Sequence, residues 1–166
     1  MTTMIGKKMT EGLNAQIGRE YSAAIQYFAM GAWFEEQGLT GFATFFFKQG
    51  DEENEHGMKF VRYLGEVGGH VSMPAIAKPK DSFGSVGEAL QQFLKMEEDV
   101  TRAIYELVEL AGAEKDHSAF EFLQWYVSEQ REEVASATSL LDRFKRFGEE
   151  RAVLLDSTLG SAGHGD

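Results

Sequence analysis

The chain has 166 residues, 43% of them hydrophobic and 26% charged, which suits one globular domain with a sizeable core. With no cysteine there are no disulfides, thiolate metal sites, iron–sulfur clusters or cysteine nucleophiles, so any metal must be held by oxygen and imidazole nitrogen. A formal net charge of −11 repels phosphate backbones and argues against a nucleic-acid partner, while favouring cations as guests.

Apolar residues recur at steps of three and four, with no sustained alternation of period two, so the expected fold is all-α. The spacing predicts a first helix from about Met4 to Glu36 along a stripe of Ile5, Met9, Leu13, Ile17, Tyr21, Ala24 and Phe28, stopping at Gly38. A second helix runs from about Thr40 to Gly65 with Phe42, Phe46, Phe60 and Leu64 inward. Both prolines, Pro74 and Pro79, fall in VGGHVSMPAIAKPKDSFG, residues 67–84, which reads as the long linker. Ser85 followed by Glu88 is a capping box that opens the third helix, which continues to about Gly112. Asp116 caps the fourth, which reaches about Phe147 before Gly148. A short apolar fifth piece, EERAVLLDSTL, covers about residues 149–159, and GSAGHGD, residues 160–166, reads as a frayed tail.

Four helices of about 25 to 30 residues are each about 40 Å long at 1.5 Å per residue. Short links at 37–39 and 112–116 force antiparallel neighbours, while 67–84 can run the length of the bundle. The expectation is an antiparallel four-helix bundle over about 4–147, two hairpins joined by a crossover between helices 2 and 3, within a single domain of residues 1–166. Gly18, Gly31, Gly50 and Gly57 interrupt helices at about 1 kcal/mol each relative to Ala; close helix approach is the expected reason. No apolar stretch reaches the roughly 18 residues of a membrane span, and MTTMIGKKMTEGLNAQ lacks the apolar region of a secretory signal, so a cytoplasmic location and no membrane partner are expected.

Polar residues interrupt the inner face of every long helix. Glu20 sits between Ile17 and Ala24 on the first stripe. On the second, Phe46, Glu53, His56 and Phe60 share a face, so Glu53 and His56 stand one turn apart, flanked by Glu52 and Glu55. Glu97 interrupts Leu90, Phe93 and Ile104 on the third. On the fourth, Leu123, Tyr126, Gln130, Glu133, Ala137 and Leu140 trace one ridge.

Burying unpaired carboxylates costs several kcal/mol each, and several together repel one another. No Lys or Arg lies on these ridges, which makes metal the natural partner. Glu20, Glu53, Glu97 and Glu133 together carry −4, which balances two divalent ions, and hard oxygen donors with one imidazole suit iron or manganese. The other histidines, His70 in the linker, His117 at a helix start and His164 in the tail, fall outside the pattern.

One Glu from each of two helices plus an E-x-x-H pair is the arrangement of the ferritin-like di-iron carboxylate proteins. ENEH (53–56) fits it in full; QREE (130–133) lacks the histidine, so the site is asymmetric. Through NAQIGREYSAAIQY (14–27), DEENEHGMKF (51–60), LKMEEDVT (94–101) and FLQWYVSEQREEV (122–134), the chain resembles a prokaryotic non-haem ferritin over about residues 5–160. The resemblance implies a first iron site of Glu20, Glu53 and His56, with Glu53 bridging, and a second of Glu97 and Glu133 with Gln130 alongside. It further implies a third iron site at Glu52, Glu129 and Glu132, and Tyr27 as an electron donor beside the centre. Two Fe(II) would bind and be oxidised by O₂ (or H₂O₂), and the Fe(III) would be stored as hydrated oxide inside a homo-oligomeric cage of 24 chains, with AVLLDSTL lining its four-fold axis. Asn54 stands where bacterioferritin has its haem-ligating Met, so haem is not expected. The alternative is a soluble di-iron oxidase or peroxidase that does not accumulate iron.

Overall fold

A computed structural model describes residues 3–160. The elements are α1 (Lys7–Glu36), α2 (Thr40–Glu66), α3 (Val86–Ala113), α4 (His117–Phe147) and, after a 3-10 turn at Glu149–Arg151, α5 (Ala152–Gly160). The expected tail, with His164, lies outside the described residues beyond Gly160. No strand occurs among the described residues, and no helix among them is long and apolar enough to cross a membrane. α1 packs along α2 and α3 along α4 as two antiparallel hairpins, so the all-α bundle with its crossover and short fifth helix is as expected.

Local chemistry accounts for the boundaries. α1 begins at Lys7 rather than Met4, because the backbone N–H of Met4 donates to Val67 O (2.9 Å) and Gly6 stays extended. Ser85 Oγ accepts from Glu88 N (3.1 Å) to cap α3, but the Glu88 carboxylate reaches back to Gly84 N (2.9 Å), one residue further than in an ordinary capping box. Asp116 Oδ1 caps α4 by accepting from Ala119 N at 2.9 Å.

The crossover 67–84 lacks regular structure and is pinned to α1 by two amides. Asn14 Oδ1 accepts from Ser72 N (2.7 Å) while its Nδ2 donates to His70 O (2.8 Å). Gln26 does the same with both backbone groups of Lys80 (3.0 and 2.7 Å). These bonds satisfy backbone groups that no ladder would otherwise serve.

The apolar core is divided. One cluster gathers around Phe34, Phe42, Phe46 and Phe93, the other around Met9, Leu13, Phe60, Ile104 and Leu123. Along every long helix the polar residue falls between the two: Ile17–Glu20–Ala23, Phe46–Glu53–Phe60, Phe93–Glu97–Val100 and Tyr126–Gln130–Ala137.

Tyr21 and Phe28, expected in the core stripe, are only partly buried. Successive steps of four advance about 40° around the helix each time, so a long i+4 walk leaves the inner face. The glycines take up these displaced rings. A Cβ on Gly57 would stand 3.0 Å from the Tyr21 ring and one on Gly31 2.6 Å from the Phe47 ring, while the Phe28 ring covers Gly50. Close approach of α1 and α2 within the chain is therefore the reason for these glycines, and Gly18 similarly faces Pro74 of the crossover at 3.2 Å.

α5 is fastened at two points. Asp156 Oδ1 accepts from Phe42 N (2.8 Å) in the first turn of α2, and Glu149 accepts from Val86 N (2.6 Å) and Gly87 N (3.2 Å) at the start of α3. Ala152 and Leu155 are buried in the first apolar cluster, whereas Val153 and Leu154 face out. A side chain at Gly41 would collide with the backbone carbonyl of Asp156, which has no room to yield. Gly41→Ala is expected to cost about 1–3 kcal/mol in denaturant unfolding. Gly65→Ala, where nothing lies within 4 Å, is expected to be neutral or stabilising by up to about 1 kcal/mol.

Candidate metal centre

The layer between the two clusters is built from single turns of four helices. On α2 the three-residue step brings His56 Nδ1 to 3.2 Å from Glu53 Oε2, and Glu20 Oε2 on α1 lies 3.9 Å from the same nitrogen. Ligand atoms of Glu20, Glu53 and His56 all lie within 4.8 Å of one another, and all three residues are buried. The other imidazole nitrogen, Nε2, stands 3.5 Å from Glu129 Oε1, and His56, Glu129 and Glu133 form a second group of the same compactness.

Glu97 belongs to neither group. The Tyr27 hydroxyl donates a short hydrogen bond to Glu97 Oε1, and Gln130 Nε2 lies 3.3 Å from Glu97 Oε2 and 3.2 Å from Thr101 Oγ1. Two further amides serve the layer: Gln16 Nε2 donates to Glu20 Oε1 (2.7 Å) and Gln49 Nε2 to Glu133 Oε2 (2.9 Å). Gln16 and Gln49 were not singled out in the sequence. A signal was available, since each stands four residues before an inward glutamate, Glu20 or Glu53, on the same helix face. Tyr126 OH donates to the backbone carbonyl of His56 (2.7 Å) and holds that turn of α2 against α4.

Burial dominates the electrostatics. It pushes the Glu20 carboxyl well above the usual carboxylate range, and the neighbouring Glu53 charge pushes it further. Burial likewise raises Glu53 well above that range, with the charges of Glu97 and Glu133 adding to it. Glu97 and Glu133 are each raised to about 7, again chiefly by desolvation. Tyr27 and Tyr126 are pushed up by burial and then by the surrounding carboxylates. None of the four carboxylates forms an ion pair with Lys or Arg among the described residues; His56 is the partner that Glu20 and Glu53 have. Two buried acceptors of this layer, Glu20 Oε2 and Gln130 Oε1, receive no hydrogen bond from the described residues. Such atoms are costly without a cation beside them, and the donor set is that of a hard, oxygen-preferring metal.

Glu52 and Glu129 are half-buried and Glu132 is exposed; with Glu133 and Gln49 they line a cavity of about 350 Å³ beside the layer. Burial raises the Glu52 carboxyl. A second cavity of about 850 Å³ reaches His56 from the surface past Glu52, Glu129 and Trp125. Trp33 belongs to the core, whereas Trp125 is 40% exposed, meets the His56 ring edge-on (5.4 Å) and carries Lys59 Nζ 3.3 Å above its face.

The sequence family described as the Ferritin-like domain matches residues 10–147. The chain belongs to the ferritin family. The bacterial non-heme ferritin of Staphylococcus aureus (strain MRSA252) is 37% identical over 151 residues, 91% of each chain. That of Staphylococcus haemolyticus (strain JCSC1435) is 37% identical over 147 residues, 89% of each. Among solved structures, a novel open pore ferritin from the hyperthermophilic archaeon Archaeoglobus fulgidus superposes with a TM-score of 0.92 at 39% identity, covering 95% of this chain and 98% of that one.

In this ferritin the carboxylates make stability depend on pH. Glu97 and Glu133 have folded pKa values raised from 4.5 to about 7, so the stability they contribute is complete below about pH 4.5 and is lost as pH rises through about 7. A divalent ion bound to these carboxylates would remove that loss and release the protons. Denaturant unfolding of metal-free and Co(II)-loaded protein at pH 5 and pH 8 is expected to show an ion-dependent gain larger at pH 8 by about 1 kcal/mol or more. An equal gain at both pH values would mean that these groups do not face the ion.

Proposed function

We infer that this ferritin oxidises Fe(II) with O₂ at a buried carboxylate–imidazole centre inside each chain and stores the Fe(III) as hydrated oxide within a multi-chain shell. The observation that carries the reading is the compact, buried group of Glu20, Glu53 and His56, with no Lys or Arg paired to it among the described residues and with no hydrogen bond donated to Glu20 Oε2.

Glu20, Glu53 and His56 hold one Fe(II), and Glu97 and Glu133 hold the second with Gln130 alongside. Glu53 is the bridging carboxylate; its placement among the charges of Glu97 and Glu133 supports that role. At neutral pH Glu97 and Glu133 sit near their midpoints, so each can yield its proton to solvent when a cation arrives. The apolar clusters on either side exclude water from the layer, which strengthens attraction between carboxylates and cation. Tyr27, bonded to Glu97, can supply an electron and pass its hydroxyl proton to that carboxylate. Glu52, Glu129 and Glu132 form a third iron site on the cavity wall, and Glu129, 3.5 Å from His56, connects it to the centre.

The shell has 24 chains and resides in the cytoplasm. Val153 and Leu154 of α5, 59% and 51% exposed, supply apolar surface for contacts between copies.

The test is aerobic addition of a large excess of Fe(II), followed by size-exclusion chromatography and an iron count. Many irons per chain should co-elute with a large assembly, and Glu20→Ala or Glu53→Ala should slow the initial oxidation by about tenfold or more. A small particle keeping only two or three irons per chain would instead indicate a di-iron oxidase that does not store iron. Unchanged oxidation in both variants would remove these residues from the centre.

A further inference from the structure

Gln16 is fully buried, one turn before Glu20 on α1. It is held at both ends: its Nε2 donates to Glu20 Oε1 at 2.7 Å, and its Oε1 accepts from Arg19 Nη1 at 3.2 Å. The two ends of a carboxamide are nearly identical in shape, so the chemistry of the partners decides which faces which way. A guanidinium only donates. Arg19 therefore keeps the carbonyl of Gln16 turned toward itself and the NH₂ turned toward Glu20.

The consequence lies at the carboxylate. Glu20 Oε1 is engaged by the amide, while Oε2 receives no hydrogen bond and stands 3.9 Å from His56 Nδ1. We propose that Arg19 and Gln16 form a relay that positions Glu20, so that this carboxylate presents one oxygen, Oε2, to a cation and acts as a terminal, one-point ligand. Arg19 is exposed and lines a groove of about 710 Å³ between α1, α3 and the crossover, so the relay runs from the protein surface to the buried layer. The other amides of the layer are held differently. Gln130 leaves its Oε1 unpartnered, and Gln49 reaches Glu133 from a different helix.

With the relay intact, Glu20 is fixed before the cation arrives, and binding requires no reorientation of the carboxylate. Without Gln16, Glu20 Oε1 loses its donor and both oxygens become available, so the carboxylate can turn and chelate through two points. Without Arg19 the carbonyl of Gln16 loses its donor, and the amide is held only at its Glu20 end, so it fixes the carboxylate less firmly. Hydrogen-bond partners of metal-ligating side chains characteristically matter to affinity at this level.

The proposal rests on the reading that Glu20 holds a cation, and the test separates the two. Co(II) is titrated into wild-type protein, Glu20→Ala, Gln16→Leu, Arg19→Met and Arg19→Lys, and the visible d–d absorption is followed; band intensity reports coordination number independently of iron oxidation. Gln16→Leu is expected to weaken Co(II) binding by about tenfold or more and to change the band intensity. Arg19→Met, at an exposed position where loss of the fold is not at issue, is expected to give the same spectral change with a smaller loss of affinity, and Arg19→Lys to restore part of it. Wild-type affinity and spectrum in both Gln16→Leu and Arg19→Met, with binding weakened in Glu20→Ala, would overturn the relay and leave the centre standing. Unaltered binding in Glu20→Ala would overturn the centre and the relay together.

Discussion

The repulsion among Glu20, Glu53, Glu97 and Glu133, held out of water in the middle of the bundle, is the constraint from which the rest of the structure follows. Filling the same layer with apolar side chains would have joined the two core clusters into one and removed the desolvation cost of four carboxylates. Instead the core is split, and each half clamps the helices on its own side, so the layer cannot relieve its strain by spreading apart. A cation bound among them would offset the cost, and metal-free and metal-bound protein would then differ in pH response and in stability.

The hydrogen-bonding partners of the layer are consistent with that logic. Glu20, Glu97 and Glu133 receive their donors from Gln16, Tyr27, Gln130 and Gln49, all of them neutral groups. A neutral donor orients a carboxylate and partly satisfies it without cancelling its charge. An arginine or lysine in the same place would form a buried ion pair and leave nothing for a cation to balance. The guanidinium that does approach, Arg19, is kept one residue away and acts through Gln16.

Around this layer the irregular parts are fastened by side-chain contacts to backbone. Asn14 and Gln26 fix the crossover against α1, and Asp156 and Glu149 fix α5 against the first turns of α2 and α3. A nine-residue helix such as α5 is too short to persist alone in water. Its position is set by those two carboxylates, by Leu155 in the core and by the absence of a side chain at Gly41. The outward Val153 and Leu154 are then displayed in a defined direction.

The helices, their order and the inward glutamates, with His56 and Gln130, were legible in the sequence, because a 3.6-residue period and capping chemistry are local properties of the chain. Glu20, Glu53, His56, Glu97, Gln130 and Glu133 all lie on buried faces, where the periodicity put them. Less was legible where an argument needed two helices at once. The stripe through Tyr21 and Phe28 failed since local spacing does not reveal where a neighbouring helix will stand, and the glycines opposite those rings had no explanation until α1 and α2 were side by side. The same holds for the chemistry: the sequence by itself determined which residue types face inward, whereas only the tertiary structure decided that Gln49 serves Glu133, that Tyr27 serves Glu97 and that His56 stands between Glu53 and Glu129. Those pairings depend on the offset and rotation of packed helices, which are set by the summed contacts of the whole core.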